Sequence, residues 1–187
     1  MDLNKILTET SSQQTLEVEG ANGEELLGVE VIQLVSFLLD EVEYGVDILC
    51  VHEILRYPEI TRLPNTPTFI KGVINLRGNV IPVVDMRVRF GFPEADITDL
   101  TRIIVVETEG KQVGLLVDNV YQVVRLAKDS IDPPSELITG VSEEFISGIG
   151  RLKDRLVVLL NMTADIFLEE ESINSDLLKN IKESIVE

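Results

Sequence analysis

One histidine and one cysteine stand two residues apart in this 187-residue chain, at His52 and Cys50. On an extended strand, residues two apart point to the same face, so the two could form a thiol–imidazole couple. Such a couple also needs a group to orient the imidazole and donors to cradle an oxyanion, and neither accompanies these residues in sequence. Structural or solvent-facing roles are therefore expected for both. Two ligands also fall short of the three or four that a zinc site requires. The phosphate-binding and nucleophile patterns GxxxxGK[ST], GxGxxG and GxSxG are absent. Asp47, Glu53, Asp85 and Asp118 are spaced singly, with no calcium-loop pattern and no reason to pair any two across a substrate. No catalytic residue, metal or cofactor is expected.

The positions of the charges narrow the partners. The formal net charge is −17. Residues 1–30 hold seven acids and one base, and residues 165–187 hold seven acids and two bases. The tails thus carry −11 and the central region only −6. Acidic tails repel phosphates, and with no tryptophan and 5% aromatic residues there is little for bases to stack on. Nucleic acid and anionic membrane surfaces are disfavoured, and the tails read first as solubilising. No apolar run reaches a membrane span, and the start, MDLNKILTET, lacks the features of a signal peptide. A single cysteine excludes an internal disulfide framework; a reducing cytoplasm is the simplest setting.

The central region must supply the fold. Residues 1–30 read as a polar, disordered arm. From Val31 onward the chain breaks into short β runs separated by turn signals. Leu34–Leu39 is apolar on both faces, as a strand covered on two sides would be. Self-comparison then finds a repeat. A shift of 69 lays Leu34–Tyr57 on Ile103–Leu126 without a gap, matching Gly45 with Gly114, Val51 with Val120 and Arg56 with Arg125. A shift of 76 lays Phe69–Met86 on Phe145–Met162, matching Gly72 with Gly148. The repeats run from about 34 to 86 and from about 103 to 162. Each reads strand, tight turn, strand, strand, loop, hairpin, which is the content of one small closed barrel. Two such units packed together would bury a shared third core. After Met162, Ile166, Ile173, Leu177, Ile181 and Ile185 recur at near-helical spacing, so an acidic amphipathic helix is expected over 169–187.

The repeated residues also carry a family resemblance. The run EYGVDILCVHEILRYPEITRLPNTPTFIKGVINLRGNVIPVVDMRVRFG, residues 43–91, resembles the CheW-type chemotaxis coupling proteins, and GVINLRG–x–x–IPVVD is its most specific part. The second repeat continues the likeness through VGLLVDNVYQVVRLAKDSIDPP and FISGIGRLKDRLVVLLNM, so that residues 31–168 are covered. The resemblance implies a mainly β fold: two SH3-like five-stranded β-barrel subdomains sharing a hydrophobic core and groove, with the C-terminal helix appended. It implies a non-catalytic adaptor that couples the cytoplasmic tip of chemoreceptors (methyl-accepting chemotaxis proteins) to the regulatory domain of the CheA histidine kinase. It places the protein in the cytoplasm, recruited to receptor arrays at the membrane.

Residue by residue, the resemblance assigns receptor binding to Val51, Glu53, Gly72, Arg77 and Val123. For kinase binding it points to Pro133, Leu137 and Gly148. Val51 fits a core slot as well as a contact, because Val120 occupies its place in the second repeat. Arg77 precedes a hairpin tip at Gly78-Asn79 and is expected to be exposed, as a solvated cation or an interface anchor. The equivalent tip reads Arg151-Leu152-Lys153-Asp154-Arg155, so surface chemistry differs where backbone is shared. Gly72 and Gly148 recur in both repeats, which favours a backbone role for them. Pro133-Pro134 reads as a rigid connector as readily as a contact.

Overall fold

The computed structural model describes residues 29–135 and 140–163. The expected C-terminal helix, most of the N-terminal arm, and Leu137 lie outside the described residues. The fold is mainly β, built on eleven strands among those residues. The first five are β1 (Val31–Leu39), β2 (Val42–Asp47), β3 (Val51–Arg56), β4 (Ile70–Leu76) and β5 (Asn79–Asp85). A four-residue helix, α1 (Met86–Arg89), follows, capped at its start by the Asp85 carboxylate. Then come β6 (Arg102–Thr108), β7 (Lys111–Val117), β8 (Asn119–Ala127), the short β9 (Ile131–Asp132), β10 (Ile146–Arg151) and β11 (Leu156–Leu160).

The repeat found in sequence is a repeat of strands. Shifts of 69 and 76 carry β1–β5 onto β6, β7, β8, β10 and β11 in order. The irregularities repeat as well. The residue bulged out of β3 is His52 and the one bulged out of β8 is Tyr121, at equivalent positions. Residues β4 and β10 skip are Lys71 and Ser147, again equivalent.

The sheets, however, do not coincide with the repeats. One sheet runs β8-β1-β2-β11-β10-β9 and the other β3-β6-β7-β5-β4. Each sheet takes its leading hairpin from one repeat and its last three strands from the other. The joints are four strand pairs: the antiparallel β1 with β8 and β3 with β6, and the parallel β2 with β11 (Tyr44↔Val158) and β5 with β7 (Val83↔Gly114). The expectation that each repeat closes on itself is therefore corrected: the repeats have exchanged hairpins. The physical reason is that the hairpins carry the same apolar pattern, so either one satisfies the remaining three strands, and crossing over links the two halves through main-chain hydrogen bonds.

Three buried clusters follow from this arrangement. One, with Leu34, Val124, Leu126, Leu152, Val157 and Leu159, belongs to the six-stranded sheet. Another, with Ile74, Ile81, Val83, Ile103, Val105 and Leu116, belongs to the five-stranded sheet. The largest is shared and draws on both, including Phe37, Tyr44, Ile54, Met86, Ile104, Leu115 and Val158. Alternating side chains make this possible: along β6, Ile103 and Val105 face one cluster while Ile104 and Val106 face the other.

An aromatic chain crosses the shared core from Phe37 to Tyr44, Phe90 and Phe145, with successive centroids 5.9, 5.4 and 5.4 Å apart. The Arg89 guanidinium lies over two repeat-equivalent rings, 4.3 Å from Phe69 and 4.8 Å from Phe145. Nearby, Arg87 Nε and Nη2 grip the Asp118 carboxylate at 2.7–2.9 Å, and Asp118 also accepts from the Asp40 N–H at 2.8 Å. These contacts pin α1 to the turns following β1 and β7.

Tyr44 gives the core a measurable pH limit. Its side chain is fully buried and its hydroxyl has no hydrogen-bond partner, and burial pushes its pKa up to about 12. The unfolded chain gives up this proton near pH ~10. Between those values the folded state binds the extra proton, so stability falls as pH rises, by up to about 2 to 3 kcal/mol. Tyr44→Phe removes the group and is expected to flatten this alkaline loss. Urea titrations of both proteins at neutral and strongly alkaline pH check it; equal slopes would place the loss elsewhere.

Candidate docking site

β3 and β8 are edge strands of their sheets. Each carries a valine at or next to its first residue, Val51 or Val120, partly buried against the shared core. Each then bulges, which twists an edge and spoils it as a template for continued strand pairing. The bulged residues themselves, His52 and Tyr121, are exposed.

The chain enters β3 through a 3-10 turn, Ile48–Cys50, capped by the Asp47 carboxylate, which accepts from the Leu49 N–H at 2.9 Å. This corrects the expectation for Cys50 and His52. Cys50 sits on the turn, and His52 on the bulge, so the two do not share the face of a regular strand. Burial, and then the neighbouring Asp47, raises the Cys50 thiol pKa, the opposite of what a nucleophile needs. Among the described residues, no group of three or more His, Cys, Asp or Glu could hold a metal ion. The four singled-out acids all have structural work: Asp47 and Asp85 cap, Glu53 and Asp118 pair with arginines.

Glu53 and Arg77 meet across the five-stranded sheet. They come from its two outer strands, β3 and the end of β4, yet Arg77 Nη2 donates to Glu53 Oε1 at 2.6 Å. The sheet must therefore curl until its edges approach. The turn that presents Arg77 is Arg77-Gly78, one residue earlier than expected, with φ of 53° and 86°. Two successive positive φ values are those of a type I′ hairpin. Asn75 Oδ1 accepts the Gly78 N–H at 2.9 Å and steadies it. The Arg77 side chain is 69% exposed, as expected for a tip.

Gly72 lies at the β4 bulge, with φ +150°. A Cβ there would sit 2.2 Å from the Thr61 carbonyl oxygen. That carbonyl accepts from Val73 N–H at 2.8 Å, and Thr61 N–H donates back to the Val73 carbonyl at 2.9 Å. Gly148 repeats the arrangement in β10, where a Cβ would meet the Asp132 carbonyl at 2.9 Å and the Ile131 side chain at 2.6 Å. Both glycines are buried and admit a crossing backbone segment.

The structure thus brings Glu53, Gly72 and Arg77 onto one curled sheet, with Val51 at the head of its edge strand. Val123 is on the other sheet, half-buried opposite Val35. Pro133 is exposed just beyond β9, on the same sheet edge as Gly148. Sequence reasoning missed Leu49, 90% exposed, and Tyr121, 55% exposed. The repeat held a signal for Tyr121, which aligns with the polar and exposed His52; it held none for Leu49, whose equivalent Asp118 is gripped by Arg87.

Comparison with known proteins agrees with this architecture. A family model described as a CheW-like domain matches residues 33–166. A chemotaxis protein CheW from Klebsiella aerogenes is 36% identical over 148 residues, covering 79% of this chain and 89% of the relative. One from Helicobacter pylori is 35% identical, covering 71% and 80%. The crystal structure of the scaffolding protein CheW from Thermoanaerobacter tengcongensis superposes with a TM-score of 0.69 at 36% identity, covering 78% of this chain and 93% of that one. The chain belongs to the CheW-like domain family.

Proposed function

We propose that this chain is a non-catalytic chemotaxis adaptor that couples chemoreceptors to the CheA histidine kinase. The observation that carries the reading is the pair of matching bulged edges, β3 and β8. Each sets a valine on the shared core and an exposed side chain beside it, in a chain whose relatives described above are chemotaxis and scaffolding proteins. Partly buried valines at a sheet edge offer apolar area to a receptor tip without exposing a whole hydrophobic face.

In this reading Val51, Glu53 and Arg77 meet the receptor, and Val123 contributes from the other sheet. Gly72 acts on that surface indirectly, by letting Thr61 lie against β4. Pro133, Gly148 and Leu137 mark the kinase side, at the β9–β10 edge. The curl recorded by the Glu53–Arg77 pair supports closure of the five-stranded sheet into an SH3-like barrel. The repeats at about 34–86 and 103–162, the N-terminal arm and the C-terminal amphipathic helix complete the proposed domain plan. The site of action is the cytoplasmic face of membrane receptor arrays; no helix among the described residues is long and apolar enough to cross a membrane.

Reconstitution with a CheA kinase and receptor fragments tests the proposal. Kinase activation in the ternary mixture that disappears when this chain is omitted is the expected result; activation without it would overturn the reading. Arg77→Glu brings a second carboxylate near the partly buried Glu53, but from a 69% exposed tip where it can turn to water, so the melting temperature should change little, equivalent to less than about 1 kcal/mol. Coupling should nevertheless drop. A large loss of folding would show that Arg77 serves the sheet and not a partner.

A further inference from the structure

A second surface lies at the far end of β3. Arg56 and Arg102 are directly opposed across the β3–β6 pair. Like charges facing each other on neighbouring strands are destabilising. Among the described residues neither guanidinium forms an ion pair with a carboxylate. Arg102 is nonetheless fixed, its Nη1 donating to the carbonyls of Asp99 at 2.6 Å and Thr101 at 2.8 Å.

The other repeat shows that the fold does not need this pair. The shift of 69 places Arg125 at Arg56 and Gln33 at Arg102, and Gln33 and Arg125 face each other across β1 and β8. One half of the molecule builds the same strand pair with one arginine; the other uses two.

Tyr57, Ile97 and Thr98 line the same cleft of about 660 Å³ with the two arginines. Its wall is the connector between the repeats, and a local network holds that connector in shape. The Thr98 N–H donates to Thr101 Oγ1 at 2.9 Å, and the Leu100 N–H donates to Thr98 Oγ1 at 3.2 Å. Ile97 and Leu100 are left 44% and 57% exposed. Arginine and tyrosine beside exposed aliphatic side chains are the composition of an interface anchor.

We propose that this cleft docks a protein segment bearing a carboxylate flanked by aliphatic residues. The carboxylate sits between the two guanidiniums and relieves their repulsion, as charge-assisted, geometrically matched hydrogen bonds do. The aliphatic side chains cover Ile97, Leu100 and the Tyr57 ring. Asp99 lines the cleft too, which selects against a run of acids and favours a single one. The exposed rim extends past the arginines, so a free anion would leave it uncovered and a peptide would not. The site lies at the opposite end of β3 from Val51 and the bulge at His52, and the inference does not depend on the kinase–receptor reading.

The test is amide NMR of the full chain titrated with a capped pentapeptide, serine–leucine–glutamate–leucine–serine, and with its glutamine counterpart. The glutamate peptide is expected to shift the amides of Thr98, Thr101 and Arg102, and the glutamine peptide to bind at least about tenfold more weakly. Arg56→Gln should weaken the glutamate peptide by a similar factor while leaving the melting temperature unchanged or raised. Arg102→Gln, which recreates the arrangement of the other half, should weaken it as much, with a small fall in melting temperature because its two bonds to the connector carbonyls are lost. Equal affinity for the two peptides, shifts at Val51 and Tyr121 in place of the cleft, or unaltered binding by both variants would overturn the proposal.

Discussion

Gly72→Ala is expected to cost about 3 to 5 kcal/mol, while Gly78→Ala in the same hairpin costs about 1. Both glycines have positive φ, at +150° and +86°. Only Gly72 also faces a backbone atom, the Thr61 carbonyl, 2.2 Å from where a Cβ would stand; Gly78 has nothing within 4 Å. The alanine at 72 must therefore push out the segment that pairs with Val73, breaking the two hydrogen bonds between them. A loss of this size is a large part of the ~5 to 15 kcal/mol that typically separates a folded domain from its unfolded chain. Urea midpoints of the two variants measure it. If they match, Thr61 is not held close, and Gly72 returns to the docking surface as a direct contact. If they differ as expected, a Gly72 variant that fails to couple says nothing about contact, because its edge has come apart.

Arg155→Met is expected to cost about 3 kcal/mol, and to be largely rescued by a second change, Glu43→Leu. Glu43 on β2 has only 7% of its side chain exposed, and Arg155 Nε donates to its Oε2 at 2.7 Å. The other oxygen, Oε1, is buried without a hydrogen-bond partner. Removing the arginine strands a buried carboxylate, whereas Arg155, with 28% of its side chain exposed, can turn to water when Glu43 is removed. Glu43→Leu alone should thus cost about 1 kcal/mol, and the double variant about the same. A double-mutant cycle by thermal and urea melting reads the coupling directly. Equal single costs that simply add would show that the two groups are independent. The pair sits beside the parallel joint of β2 and β11, so the cycle also tests the hairpin exchange.

The strands were legible because each repeat confirmed the other. Strand order, hairpins and the paired glycines at 72 and 148 all followed from two ungapped shifts. The exchange of hairpins was not legible, and for a physical reason: β1–β2 and β6–β7 carry interchangeable patterns, so sequence shows what is equivalent and not what pairs with what. Cys50 and His52 were misplaced because a capped 3-10 turn and a one-residue bulge break strand alternation without any glycine or proline to announce them. Glu43 and Arg155 are 112 residues apart, and nothing local marks a partner at that distance. The opposed arginines 56 and 102 likewise needed the β3–β6 register. Arg77 and Glu53 could be named from resemblance, but their contact across two sheet edges needed coordinates.

The exchange also sets an order of assembly. Every strand of the five-stranded sheet lies between residues 51 and 117, one unbroken stretch of chain. The six-stranded sheet is made from what flanks it, residues 31–47 and 119–160. On a ribosome, the inner sheet has all its strands once β7 has emerged. The first hairpin, made earliest, waits longest for β8 and β11, with its edges open. A fragment ending at β7 would hold one complete sheet and one orphaned hairpin, and a fragment of either single repeat would hold no complete sheet at all.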